Sequence, residues 1–189
     1  VRALFCAFLA FATLAACSTA QEPPSRPSNP LLRAELLKML DEDQLTRTAE
    51  VTDEQFDRVE KANTARMKQV LDQYGWPGWA MVGKDGSTAA WALVQHADLD
   101  PDFQRRGLGL LRKAVEAGDA SKGDLAYLTD RVRVKDNKPQ VYGTQWETDA
   151  QGKWKPQIGI ENEAEVDKRR AEAGLRPLAE YLKELQGIS

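Results

Sequence analysis

The chain has 189 residues, with 26 basic and 29 acidic side chains and a formal net charge of −3. That balance, without a dense run of Lys and Arg, argues against a nucleic-acid partner, because phosphate binding needs concentrated positive charge. Both cysteines, Cys6 and Cys17, fall in the N-terminal segment, outside the expected globular domain, and one histidine without a thiolate does not make a zinc site, so neither a metal nor a cofactor is expected.

The N-terminus has the pattern of an export signal. Arg2 supplies the positive charge, and Leu4 to Leu14 is an apolar run of the length such signals use. The run is too short to span a bilayer, which takes about 20 apolar residues. It ends in Leu14-Ala15-Ala16-Cys17, which resembles the lipobox of bacterial lipoproteins. The resemblance implies that residues 1–16 are removed and that Cys17 is lipidated, giving a membrane anchor. An ordinary signal peptide that happens to contain a cysteine is the alternative. Ser18 stands where the lipoprotein family's inner-membrane retention signal has Asp, which in a Gram-negative host implies the outer membrane, facing the periplasm.

Residues 17–30 hold four prolines and no large apolar side chain, the composition of an extended tether. Residues 31–189 are the expected globular domain, a length that suits one core. Loss of Arg2 with the signal takes the net charge from −3 to −4. Cys6 leaves with it and Cys17 carries lipid, so the domain has no thiol for a disulfide or a nucleophile.

Within the domain, Leu32, Leu36, Met39 and Leu40 mark a helix over 31–48. A stronger helix is predicted over 53–74, opened by a Thr52/Gln55 capping box and closed by Gly75. Phe56, Val59, Met67, Val70 and Tyr74 form its stripe, which only the polar Asn63 interrupts. Gly75-Trp76-Pro77-Gly78-Trp79 reads as a rigid aromatic turn, followed by a helix over about 87–97. Asp100 as N-cap and Pro101 at the first turn open a helix to about Ala117. Gly107 and Gly109 each cost that helix about 1 kcal/mol relative to alanine and are read as close-packing points.

A helix over 122–131 then gives way to alternation: Val132 and Val134 among Arg131, Arg133 and Lys135 predict a strand. Gln140 to Trp146 and Trp154 to Ile158 complete an antiparallel meander. Helices over about 163–173 and 178–186 finish the chain. The fold class is α+β, a mainly helical single domain with a small antiparallel β meander.

Three clusters carry side chains suited to chemistry. His96 lies in Gln95-His96-Ala97-Asp98, and imidazole moves protons near neutrality. On an ideal helix His96 and Asp98 point about 200° apart, so they meet only if the helix ends near Ala97. An isolated histidine is also commonly structural or merely exposed. Asp98, Asp100 and Asp102 alternate as in a calcium loop, but Phe103 and Gly109 stand where that loop needs glycine and glutamate.

Asp130-Arg131 either fixes a helix-to-strand junction or holds an anion through the guanidinium. Gln140 to Gln145, if a strand, puts Gln140, Tyr142 and Thr144 on one face, and Val141, Gly143 and Gln145 on the other. It is either a ligand platform or an edge strand with solvated amides. No nucleophile elbow, Walker loop, zincin motif or dinucleotide fingerprint is present.

Gly75-Trp76-Pro77-Gly78, Leu93-Val94-Gln95-His96-Ala97-Asp98, Phe103-Gln104, Tyr127-Leu128-Thr129-Asp130-Arg131, Gln140-Val141-Tyr142-Gly143-Thr144-Gln145, Val166 to Ala171 and Gly174-Leu175 together resemble a family of uncharacterised bacterial proteins (DUF6624-like). The resemblance spans about residues 50–182 and implies kinship without a reaction. It also implies that the His96, Asp130-Arg131 and Gln140-to-Gln145 clusters form one site.

Three readings follow. In the first, a lipid-tethered domain binds a small polar ligand or an envelope protein. Its groove is made by Gln95, His96, Arg131, Gln140, Tyr142 and Gln145, with Trp76 and Trp79 as an apolar wall. In the second, an envelope hydrolase or transferase uses His96 as general acid or base. Asp98 or Asp130 orients the imidazole, and Arg131 steadies negative charge. In the third, the polar clusters are buried hydrogen-bond networks that specify the fold of a structural lipoprotein.

Overall fold

A computed structural model describes residues 26–48 and 51–187. The export signal, Cys17 and most of the tether lie outside the described residues. Seven helices and one two-stranded hairpin make up the described chain. None of these helices is long and apolar enough to cross a membrane.

Helix α1 (Pro30–Thr48) lays Leu32, Leu36 and Met39 against α3 (Trp79–Gln95), and α2 (Asp53–Tyr74) adds Met67, Val70 and Leu71 to the same core. Both parts of the capping box form at the start of α2: Thr52 Oγ1 accepts from Gln55 N, and Gln55 Oε1 accepts from Thr52 N. Gly75, at φ +69°, closes the helix in the left-handed region that glycine adopts freely.

Helix α3 is the central element and packs against α1, α2, α4 (Pro101–Glu116) and α5 (Lys122–Lys135). Its small residues, Ala89, Ala90 and Ala92, let four neighbours approach. It begins eight residues earlier than the sequence pattern predicts and is broken at Gly83, φ +76°. The opening turn is held on Asp119, whose carboxylate accepts from Ala80 N (2.7 Å) and whose carbonyl accepts from Trp79 N (2.9 Å).

The strand expected over 132–134 is the last turn of α5. Val132 follows Leu128 by four residues on one buried face, while the intervening charges leave in other directions. In so short a stretch an i, i+4 apolar pair and a period-2 alternation share the same letters. Asn137, at φ +56°, ends the helix instead of turning a hairpin. The second expected strand is absent too: 140–145 is irregular, and Gly143 at φ +66° breaks any alternation of faces. Gln140 makes only a single bridge, to Ile160. The antiparallel sheet is the hairpin of β1 (Trp146–Thr148) and β2 (Trp154–Pro156), in register Glu147 opposite Lys155. A short 3-10 turn (Glu163–Glu165), α6 (Val166–Glu172) and α7 (Leu178–Leu185) then pack beside the 140–145 segment. The fold class is therefore α+β and mainly helical, with its sheet reduced to one hairpin.

Candidate functional site

The C-terminal end of α3 is held by four other helices. Gln95 is the last residue of α3, and its carbonyl accepts from Gln104 Nε2 of α4 (2.9 Å). His96 turns toward α1, placing Nδ1 2.6 Å from Asp43 Oδ2. Asp98 turns the opposite way, toward α5, where Arg131 forms a two-point ion pair with it and Lys135 approaches to 3.5 Å. Glu60 of α2 accepts from Leu99 N (2.8 Å). The helix ends at Gln95, early enough for His96 and Asp98 to meet, yet they diverge to separate partners, and neither Asp98 nor Asp130 orients the imidazole.

The partner of His96 is Asp43, 53 residues away and 2% exposed. Burial opposes a charge on Asp43, but hydrogen bonds from His96 and Arg47 and the charge of the Arg47 guanidinium outweigh it and hold the carboxyl below its usual value. An ionised Asp43 fixes the proton on Nδ1 of the imidazole. Nε2 makes no hydrogen bond to any described residue, and the side chain is 22% exposed. Such a carboxylate-oriented imidazole can accept or donate a proton at Nε2.

Asp130 is fully buried and points to the other side of α5. Its carboxylate accepts from the backbone N–H of Val141 (2.7 Å), Tyr142 (3.1 Å) and Thr144 (3.0 Å), and from the Thr144 hydroxyl (3.0 Å). Burial raises its carboxyl above the usual value, and these four donors only partly offset that. Gln140, also fully buried, donates to the carbonyls of Gln145 and Gln157 (2.8 Å each) and accepts from Gln145 N (2.7 Å). Gln145 in turn donates to Thr144 Oγ1 and accepts from Arg131 Nη1 (3.0 Å each). Arg131 therefore joins the two clusters: Asp98 on one edge of its guanidinium, Gln145 on the other.

Asp98, Arg131, Gln145, Gln140 and Asp130 thus meet in one chain of contacts, while His96 stands apart with Asp43, and these residues are not the walls of a groove. Gln95, Gln140 and Gln145 are buried. Trp76 is not an apolar wall of a cleft. It is 8% exposed within the core, its Nε1 donating to Ser87 Oγ (3.2 Å). Trp79 lies beside it in the turn with the Lys84 ammonium over its ring (5.2 Å). Tyr142 faces a separate surface groove with Val115, Leu125, Arg169 and Glu172.

Asp43 and Glu60 carry no signal in the sequence, and Gln104 has only its place in the family resemblance. Asp43 and Glu60 look like solvated helix charges until the helices pack. Arg170 lies inside the Val166–Ala171 stretch that carries the family resemblance, and that was its only signal. Asn63 Nδ2, Gln95 Oε1 and Gln104 Oε1 are buried without a partner among the described residues. Gln95 and Gln104 meet at the end of α3, and Asn63 lies one turn along α2 from Glu60.

No curated protein and no solved structure matches this chain with significance. A family model, described as a family of unknown function (DUF6624), matches residues 30–188, which is nearly the whole of the helical domain and all of the polar network just described. The chain belongs to the DUF6624 family.

Proposed function

We propose that this chain is a lipid-anchored domain of the bacterial cell envelope that works by binding a small ligand or an envelope protein, its motif residues being committed to the fold. The observation that carries the binding reading is the surface groove lined by Tyr142, Arg169 and Glu172, while Asp130, Gln140 and Gln145 spend their polar atoms on the 140–145 segment, on Gln157 and Arg131, and on each other. Side chains so engaged have nothing left to offer a substrate in turnover.

The anchor is supported by the Leu14-to-Cys17 pattern and the proline-rich stretch after it. The family match starts at residue 30, where that stretch ends. On this reading Cys17 takes the lipid and the domain faces the periplasm, from the outer membrane of a Gram-negative host. Metabolic labelling with an alkyne fatty acid tests it: the chain takes up label, and Cys17→Ser abolishes it and moves the protein to the soluble fraction. Equal labelling of the serine variant, or no labelling of either, overturns the anchor.

One observation favours a second reading, an envelope hydrolase or transferase. Asp43 and His96 form an oriented pair, with Nε2 unbonded among the described residues. In that case His96→Gln and Asp43→Asn each remove the host phenotype of the chain while the protein stays folded. A His96→Gln chain that complements a deletion fully removes His96 from any catalytic role.

A further inference from the structure

The C-terminal helices form an open pocket of about 270 Å³ that none of the motif readings uses. Tyr127, Tyr181 and Leu175 line it, together with Arg170, Arg176 and Glu184. The two phenol rings meet edge to face, 6.2 Å between centroids, so the lining offers aromatic surface. Arg176 and Glu184 pair with each other and are 68% and 52% exposed, which places them at the outer side. Arg170 is the inner element, 1% exposed.

A buried guanidinium ordinarily has a carboxylate beside it, since an unpaired buried charge costs several kcal/mol. Arg170 has none within ion-pair distance among the described residues. Its Nε donates to the carbonyl of Arg176 (2.6 Å), and its Nη1 to those of Tyr142 (2.7 Å) and Gly143 (3.4 Å). Its Cζ lies over the Tyr181 ring, 4.9 Å from the centroid. Nη2 makes no hydrogen bond to any described residue. Asp167, whose carboxylate accepts from Leu178 N, and Asp130, from the far side of the 141–144 loop, relieve part of the charge at longer range, and neither bonds Nη2.

We propose that this pocket binds a small monocarboxylic acid with an apolar or aromatic body, the carboxylate meeting Nη2 of Arg170 and the body lying along Tyr127 and Tyr181. Guanidinium nitrogens bind carboxylates with charge-assisted hydrogen bonds, and burial strengthens them. A single free nitrogen and the acid of Glu184 at the outer side suit a monoanion and disfavour a dianionic phosphate. The inference deepens the binding reading above and does not depend on the lipid anchor, so a negative labelling result leaves it standing.

The test is a titration of the chain, carrying Cys17→Ser so that no lipid is attached, followed by NMR of the Arg170 Nε–H and the Tyr127 and Tyr181 rings. The probes are benzoate and phenylacetate, with benzamide as the uncharged match. Saturable shifts at these resonances with the acids, and binding of benzamide weaker by about tenfold or more, are expected. No saturable shift, equal response to benzamide, or shifts confined to other resonances would overturn the proposal. The wild-type reading decides, because Arg170→Met removes contacts that also hold the 142–143 backbone.

Discussion

Asp130 and Arg170 grip one stretch of backbone from opposite sides. The carboxylate takes the N–H groups of Val141, Tyr142 and Thr144, while the guanidinium takes the carbonyls of Tyr142 and Gly143. A buried segment outside any sheet must still satisfy its peptide groups. Here two opposite charges supply what neighbouring strands would supply elsewhere, and the peptides between them relay part of the charge compensation.

Replacing Asp130 by asparagine keeps the size and removes half of this grip. The amide nitrogen would face N–H donors where an acceptor is needed. Asp130→Asn is expected to lose about 3 kcal/mol of stability, measured by urea denaturation with the wild-type chain alongside. A loss under about 0.5 kcal/mol would mean that the loop does not rest on the carboxylate.

Arg131 links Asp98 to Gln145, and its side chain is 25% exposed. Arg131→Ala leaves Asp98 with Lys135 and Gln104 only, and Gln145 Oε1 without a donor. The expected cost is about 2 kcal/mol, less than for a fully buried pair because water reaches both partners. Thermal melts of Arg131→Ala, Asp98→Ala and the double variant give the coupling. Strict additivity would rule out a shared network.

The two glycines of α4 separate cleanly. A Cβ at Gly107 would lie 2.5 Å from Val94 Cγ1, on a stiff β-branched side chain of the central helix, while one at Gly109 meets nothing within 4 Å. Gly107→Ala is expected to destabilise by about 1–3 kcal/mol through overpacking. Gly109→Ala is expected to stabilise by about 1 kcal/mol, the helix-propensity difference. Equal effects in the same direction, read from denaturation midpoints, would contradict the packing of α4 on α3.

Stability should also respond to pH through Asp124, whose carboxyl burial raises from 3.8 to about 6, with hydrogen bonds from Ser121 and Thr88 only partly opposing. A raised acid binds its proton more tightly in the folded state. Its contribution is therefore full below 3.8 and is lost as pH rises through about 6. Asp43 and Asp98, both lowered, act in the reverse sense and lose their contribution as pH falls below 3.8. The difference in stability between wild type and Asp124→Asn, measured from about pH 4 to pH 7, should change in favour of the variant as pH rises. A difference that stays flat would mean that the carboxyl is not desolvated.

Much of the helical framework was legible in advance. Thr52 with Gln55, Gly75, and Asp100 with Pro101 are local signals, each acting within one helical turn, and each lies where local chemistry puts it. Gly107 was read correctly as a packing point, whereas Gly109 has open space around it. The sheet was less legible. Val132 and Val134 alternate with charges, but Leu128 beneath Val132 makes the helical face the better burial. At Gly143 a Cβ would lie 2.7 Å from Ile160 Cδ1, a close approach that belongs to an irregular buried loop rather than to a strand.

By itself the sequence determined the capped starts of α2 and α4, that the domain is mainly helical, and which residues form its polar motifs, because caps, glycines and apolar spacing act over a few residues. Only the tertiary structure decided the partners. His96 meets Asp43 of α1, Asp98 meets Arg131 of α5, and Asp130 and Arg170 meet across a loop. Those pairings depend on which helix faces which, and that is set by core packing over the whole chain rather than by any local spacing.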